Sequence, residues 1–184
     1  MIDRLREQKR EKEISARYVF LAIVFWILTV SWIVVIFQLS SDTAEESSEF
    51  SKTLLEYINE LFSTNIQDDS VLRMVGHSAE FALLTLLSYL ALSSTNKISS
   101  KTSYAESPVK LLRSDNEMNI IFTLWFTVLN AIFDEYHQLF VANREGSITD
   151  VLIDLIGIVI VLIVVRVIFT IYMKFKGRTE VVYT

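Results

Sequence analysis

The chain has no cysteine, one proline, four glycines and two histidines in 184 residues. Without cysteine it has neither a disulfide framework nor thiolate chemistry. Basic charge is not in excess either: 17 Lys and Arg face 22 Asp and Glu, a formal net charge of -5. That acidic balance removes nucleic acid from the partners to consider. What the chain has in plenty is apolar side chains, at 52%. So oily a sequence, with a positive mean hydropathy, does not read as an ordinary soluble domain.

The apolar residues fall in four blocks, about Tyr18 to Phe37, Met74 to Leu92, Asn119 to Val141 and Ile148 to Tyr172. Each is near the roughly 20 residues that cross a hydrocarbon core as a helix. The expected fold is therefore all-α, a polytopic membrane protein built as a four-transmembrane-helix bundle. The first and fourth blocks are almost uninterrupted, whereas the second and third contain ionisable residues. No A-x-A-like site follows Phe37 and a highly charged stretch precedes Tyr18, so the first block reads as a retained span rather than a cleaved signal peptide.

Orientation follows from Lys and Arg, which resist translocation near a span. Residues 1–17 hold Arg4, Arg6, Lys9, Arg10, Lys12 and Arg17; the connection 93–118 holds Lys97, Lys101, Lys110 and Arg113; the tail 173–184 holds Lys174, Lys176 and Arg178. These belong inside, which makes both termini cytoplasmic. The connection 38–73 has one lysine, Lys52, against eight acids, and the short connection near Asn143 has only Arg144, so both belong outside. Within the outer acidic segment Phe50, Leu54, Leu55, Ile58, Leu61 and Phe62 have helical spacing, as in a short amphipathic helix on the membrane surface or over the bundle. The charged N-terminal stretch reads as a solvated helix, and the Ser-rich inner connection with Pro108 as a solvated loop.

Chemistry is to be sought where polar groups enter apolar segments, because an ionisable side chain in hydrocarbon needs a partner or a wet cavity. Arg73, His77 and Glu80 form one face descending from the outer end of the second span. Asp134, Glu135, His137 and Gln138 occupy the last two turns of the third, with Asp134 about 10 Å below Val141 at 1.5 Å per residue. After Arg144 and Ser147, an expected N-cap, the fourth span carries Asp150 and Asp154 on one face. Gln38, Ser40 and Ser41 close the first span at the same level. Taken singly, Arg73, Arg144 and Asp150 read as interfacial side chains that snorkel to water. For the deeper His77, Glu80, Asp134 and Asp154, bonds that merely hold the bundle together compete with a direct role. Gly76 and Gly157 read as close-packing positions, and Trp26, Trp32 and Trp125 as packing or belt aromatics. Polar groups are expected to stop at about mid-membrane, which argues against a transport pathway.

These residues carry a resemblance. Phe37-Gln38-Leu39-Ser40-Ser41, the stretch from Arg73 through Gly76-His77 to Glu80-Phe81, and a D-E-x-H-Q from Asp134 to Gln138, followed by Arg144-x-Gly146-Ser147 and then Asp150-x-x-x-Asp154, resemble the VanZ-like family of bacterial membrane proteins. Its founding members are associated with resistance to the glycopeptide teicoplanin. The family often has Pro-Gly where this chain has Ala142-Asn143, and often Tyr where Phe81 stands. The resemblance implies an envelope role at the outer membrane face, and the polar cluster agrees on that location. Two mechanisms are open. In the first, Arg73, Arg144 and protonated His77 grip a phosphate or carboxylate, and Asp134, Glu135, Asp150 and Asp154, with Gln38, Ser41, Gln138 and Ser147, orient them or bond sugar hydroxyls. The partner is then a membrane lipid, a peptidoglycan precursor or a lipoglycopeptide antibiotic. In the second, His77, Glu80, Asp134 and His137 catalyse acid–base chemistry on an envelope lipid or precursor. No cofactor is expected in the first case, whereas a divalent metal with mixed N and O ligands fits the second.

Overall fold

The computed structural model describes residues 15–98, 108–144 and 146–181. The expectations for the stretch before residue 15 and for the Ser-rich connection at 99–107 lie outside the described residues. Five helices follow in order: α1 (Ala16–Ser40), α2 (Ala44–Phe62), α3 (Ser70–Asn96), α4 (Pro108–Gln138) and α5 (Ile148–Val181). The described residues contain no strand, so the all-α reading holds. In hydrocarbon a helix is the element that satisfies its own backbone, and the long apolar segments fold accordingly.

α1, α3 and the Ile148–Phe175 part of α5 are each long and apolar enough to cross a membrane. α4 falls outside that set. Its apolar run is broken by Asn119, Thr123, Thr127 and Asn130 before it reaches Asp134 and Glu135. α1 keeps Phe20, Ile23, Ile27, Val30 and Val34 exposed and buries little, the pattern of a helix whose surroundings are apolar on most sides.

α3 is the central element. It packs along α1 and α5 and also against α4, whereas α1 and α4 touch only lightly. The core is formed by Ile36, Phe81, Leu84, Ala131, Ile158 and Leu162, one or more from each of the four long helices. The closest approach is at Gly157, where a Cβ would run into the carbonyl of Ser78, so the α3–α5 crossing requires glycine. Gly76 differs from the expectation for it: nothing lies within 4 Å of where its Cβ would be, and it borders open space. Trp26 and Trp32 tie α1 to α3 through indole N–H bonds to Thr95 Oγ1 (3.1 Å) and to the Glu80 carbonyl (3.0 Å). Trp125 stays exposed.

α2 forms where helical spacing placed it, and acidic residues line its outward side. Among its described side chains it buries only Ser51 and Leu55, and it leaves Phe50, Tyr57, Leu61 and Phe62 exposed. Beyond it, Ser63 takes a left-handed φ of 52° and Asn59 holds Ile66 by two bonds of 2.8 and 2.9 Å, which returns the chain to α3.

The half of the bundle away from α2 corrects the expectation that polar groups stop at mid-membrane. Thr29, Thr85, Ser88, Thr123, Thr127, Asn116 and Asn119 are buried there or on the way to it. Most are satisfied locally. Thr29, Thr85 and Thr127 donate to the carbonyl four residues back, at 2.6 to 2.8 Å. Tyr89 donates to Asn116 Oδ1 (2.5 Å) and Asn96 to Asn119 Oδ1 (2.6 Å), joining α3 to α4. Neutral hydroxyls and amides are scattered through these segments, so they leave no block that sequence inspection would mark.

Candidate functional site

The C-termini of α1 and α4 and the N-termini of α3 and α5 meet at one end of the bundle, with α2 beside them. Two adjoining cavities open there. The first, about 340 Å³, is lined by Arg73, His77, Gln138, Arg144 and Asp150. The second, about 370 Å³, shares Arg73, His77 and Arg144 with the first and reaches Glu80 and Asp134. Ser47, Phe50, Ser51 and Leu54 of α2 wall the second cavity, so α2 lies over the bundle end and contributes to the site. Ser40 and Gly76 line it too.

Each long helix delivers its side chains by a local device. The start of α3 is fixed by Asp68, whose carboxylate accepts the Ser70 backbone N–H at 2.9 Å. That bond holds the Asp68 carboxyl below the usual carboxylate range. Four residues along the first turn, Arg73 Nε lies 3.8 Å from Asp69 Oδ2, a loose and half-exposed pair that leaves most of the guanidinium available.

α4 ends in a tight turn onto α5. Glu135, buried, accepts the Ser147 backbone N–H at 2.8 Å. Ser147 is the N-cap expected of it, its Oγ accepting the Thr149 N–H at 3.1 Å. A Cβ on Gly146 would strike the Glu135 carbonyl and Leu139, so this turn closes only on glycine. Asn143 adopts a left-handed φ of 60°. Asn is the non-glycine residue that best tolerates this conformation, which accounts for its place in this turn. Its side chain donates to Glu45 of α2 at 3.2 Å, linking the turn to the helix over the site.

The residues singled out from sequence separate into groups. Arg73, His77, Glu80, Asp134, Gln138, Arg144 and Asp150 border the two cavities. Gln138 also donates to Asp134 Oδ2 at 3.2 Å. Glu135 and Ser147 build the α4–α5 turn. Asp154 is fully buried, and neither of its carboxylate oxygens has a hydrogen-bond partner. Gln38 is exposed, and Ser41 turns its hydroxyl back to the Phe37 carbonyl at 2.6 Å. At this helix end Ser40, buried, is the residue that faces inward.

His137 occupies a third cavity. Its ring packs against Phe37 at a 41° tilt with centroids 4.2 Å apart, and its buried Nδ1 has no partner among the described residues. This cavity, about 300 Å³, lies between α1 and α4, and apart from Asn130 and Asp134 the rest of its lining is apolar. Asp134 lines both it and the second cavity. The two histidines are thus separated, His77 among the cations and His137 beside the aromatic ring. Among the described residues no group of three or more His, Asp or Glu is gathered closely enough to hold a metal ion.

Long apolar helices packed around α3, with ionisable residues gathered at one end, define a multi-pass helical membrane protein. The chain belongs to the VanZ/LLP1 family, whose family model matches residues 25–170. No curated protein and no solved structure matches it. The matched region runs from within α1 to within α5 and takes in every residue of the cavities.

Proposed function

We propose that the protein spans the membrane four times with both termini in the cytoplasm, and that its polar cavities open on the outer side to bind the phosphate or carboxylate of an envelope component. α4 is the fourth span in this reading. Its polar face turns to α3 and α5, while Phe122, Trp125, Leu129, Ile132 and Phe133 remain exposed for lipid. The observation that carries the reading is the sharing of Arg73, His77 and Arg144 by two adjoining cavities. Among the described residues no salt bridge engages Arg144. A guanidinium that lines two cavities and makes no salt bridge among the described residues is suited to an oxyanion. The component is an envelope lipid, a peptidoglycan precursor or a lipoglycopeptide, and the link to glycopeptide resistance comes from the family resemblance.

A second reading has one observation in its favour: His77, Glu80 and Asp134 line a single cavity. An imidazole and two carboxyl groups there are sufficient for proton transfer during hydrolysis or transfer at a head group. His137 would act in such a reaction only from the α1–α4 side of Asp134.

One experiment separates the two. The purified full chain is assayed for metal content and for stabilisation by inorganic phosphate. Phosphate stabilisation that disappears in Arg73→Ala and Arg144→Ala, without stoichiometric metal, supports recognition. Stoichiometric metal lost in His77→Ala supports the enzyme. If phosphate has no effect on the melting temperature, the recognition reading fails.

A further inference from the structure

The third cavity is separate from the two polar ones but shares one wall residue, Asp134, with the second. Ile33, Ile36 and Phe37 of α1, Phe81 and Leu84 of α3 and Phe133 of α4 make it a mainly apolar slot, and Asn130 on its wall spends its amide N–H on the Phe126 carbonyl at 2.7 Å. It lies where α1 and α4 touch only lightly, so the bundle has a lateral seam at this point. Phe37 and Phe133, 53% and 66% exposed, form the two lips facing the hydrocarbon. At its upper edge stands His137, and at its inner wall Asp134, which also borders the cavity holding Arg73 and Arg144. A largely apolar slot beside the α1–α4 seam, sharing Asp134 with a cavity that holds two arginines among carboxyl groups, has the two-part chemistry of an amphiphile.

We propose that a hydrocarbon chain of a phosphate-bearing outer-leaflet lipid enters sideways between α1 and α4 and lies in this slot, with its phosphate reaching Arg73 and Arg144 past Asp134. This rests on the recognition reading and selects among its ligands: the occupant is a lipid from the bilayer rather than a soluble anion. Each methylene that leaves bulk lipid for the slot gains little, because both surroundings are apolar. Selectivity therefore comes from the guanidinium groups, and the slot fixes the route by which the head group arrives. Approach through the seam also avoids α2, which walls the polar cavity from above.

The absence of cysteine allows a clean test. Ile33→Cys, inside the slot, and Val34→Cys, the adjacent exposed residue of α1, are labelled with bimane in the full chain. Each is placed in phosphatidylcholine nanodiscs containing a small fraction of brominated phosphatidic acid or brominated phosphatidylcholine. The label at position 33 should be quenched about fivefold more efficiently by the anionic lipid. Arg144→Gln should remove that preference, and the label at 34 should show none. Phe133→Cys, on the opposite lip, provides the same reading if a label at 33 disturbs folding. Equal quenching by the two lipids at 33 and at 133 would overturn the slot. If inorganic phosphate still stabilises the protein through Arg73 and Arg144, the recognition reading survives that result. If it does not, both fall together.

Discussion

Polar residues are buried in both halves of the bundle, and the two halves treat them differently. Away from α2, the groups are mostly neutral and mostly bonded: Tyr89 to Asn116, Asn96 to Asn119, Trp26 to Thr95, and threonines to their own helix. Two of the charges there, Arg166 and Glu117, pair at 3.2 Å and are half-exposed. At the α2 end the groups are ionisable and incompletely paired, with Arg73, His77, Glu80, Asp134 and Arg144 along cavities and Asp154 sealed without a partner. Ser88 and Thr123 are unpartnered in the far half as well, but a lone hydroxyl costs about 1–3 kcal/mol against far more for a lone charge. Buried polarity by itself therefore marks packing. Unpaired ionisable groups that share a cavity mark the site.

The contrast can be broken or sharpened by substitution. The largest effect on stability is expected at Gly157, where Gly157→Ala forces α3 and α5 apart and should cost about 1–3 kcal/mol or more in thermal unfolding. Next, Arg144→Ala should leave the melting temperature in place and weaken phosphate binding about tenfold, the loss of one charge-assisted contact. Asp154→Asn keeps the shape and replaces an unpartnered buried carboxyl by an amide. Since Asp154 lines neither polar cavity, the change should shift stability by about 1 kcal/mol or less and leave retention of the bound component unchanged, and a loss of retention at equal stability would place Asp154 in the site. In the far half, Tyr89→Phe should cost about 0.6 kcal/mol and leave phosphate binding unchanged. Gly76→Ala should stay within about 0.5 kcal/mol of the parent, since its Cβ meets nothing.

The two glycines show where sequence reading reaches its limit. Gly76 and Gly157 look alike in an apolar helix, and only the rotation of α3 against α5 tells them apart. The same limit applies at the end of α1. Gln38, Ser40 and Ser41 are neighbours, and which one turns inward depends on about 100° per residue of helical rotation. By contrast, the gathering of Arg73, His77, Asp134, Arg144 and Asp150 at one end was legible, because it needs only span direction and depth. α2 was legible from its apolar spacing, although its role as a cavity wall was not. The division of the polar groups into a cationic cavity and an apolar slot meeting at Asp134 depends on the gap between α1 and α4. No periodicity records that gap.

The most direct test of the central claim is lipid mass spectrometry of the full chain purified from its membrane, parent beside Arg144→Ala. The account predicts a phosphate-bearing lipid retained stoichiometrically by the parent and lost from the variant, with equal melting temperatures. The same lipid complement in both proteins would contradict it.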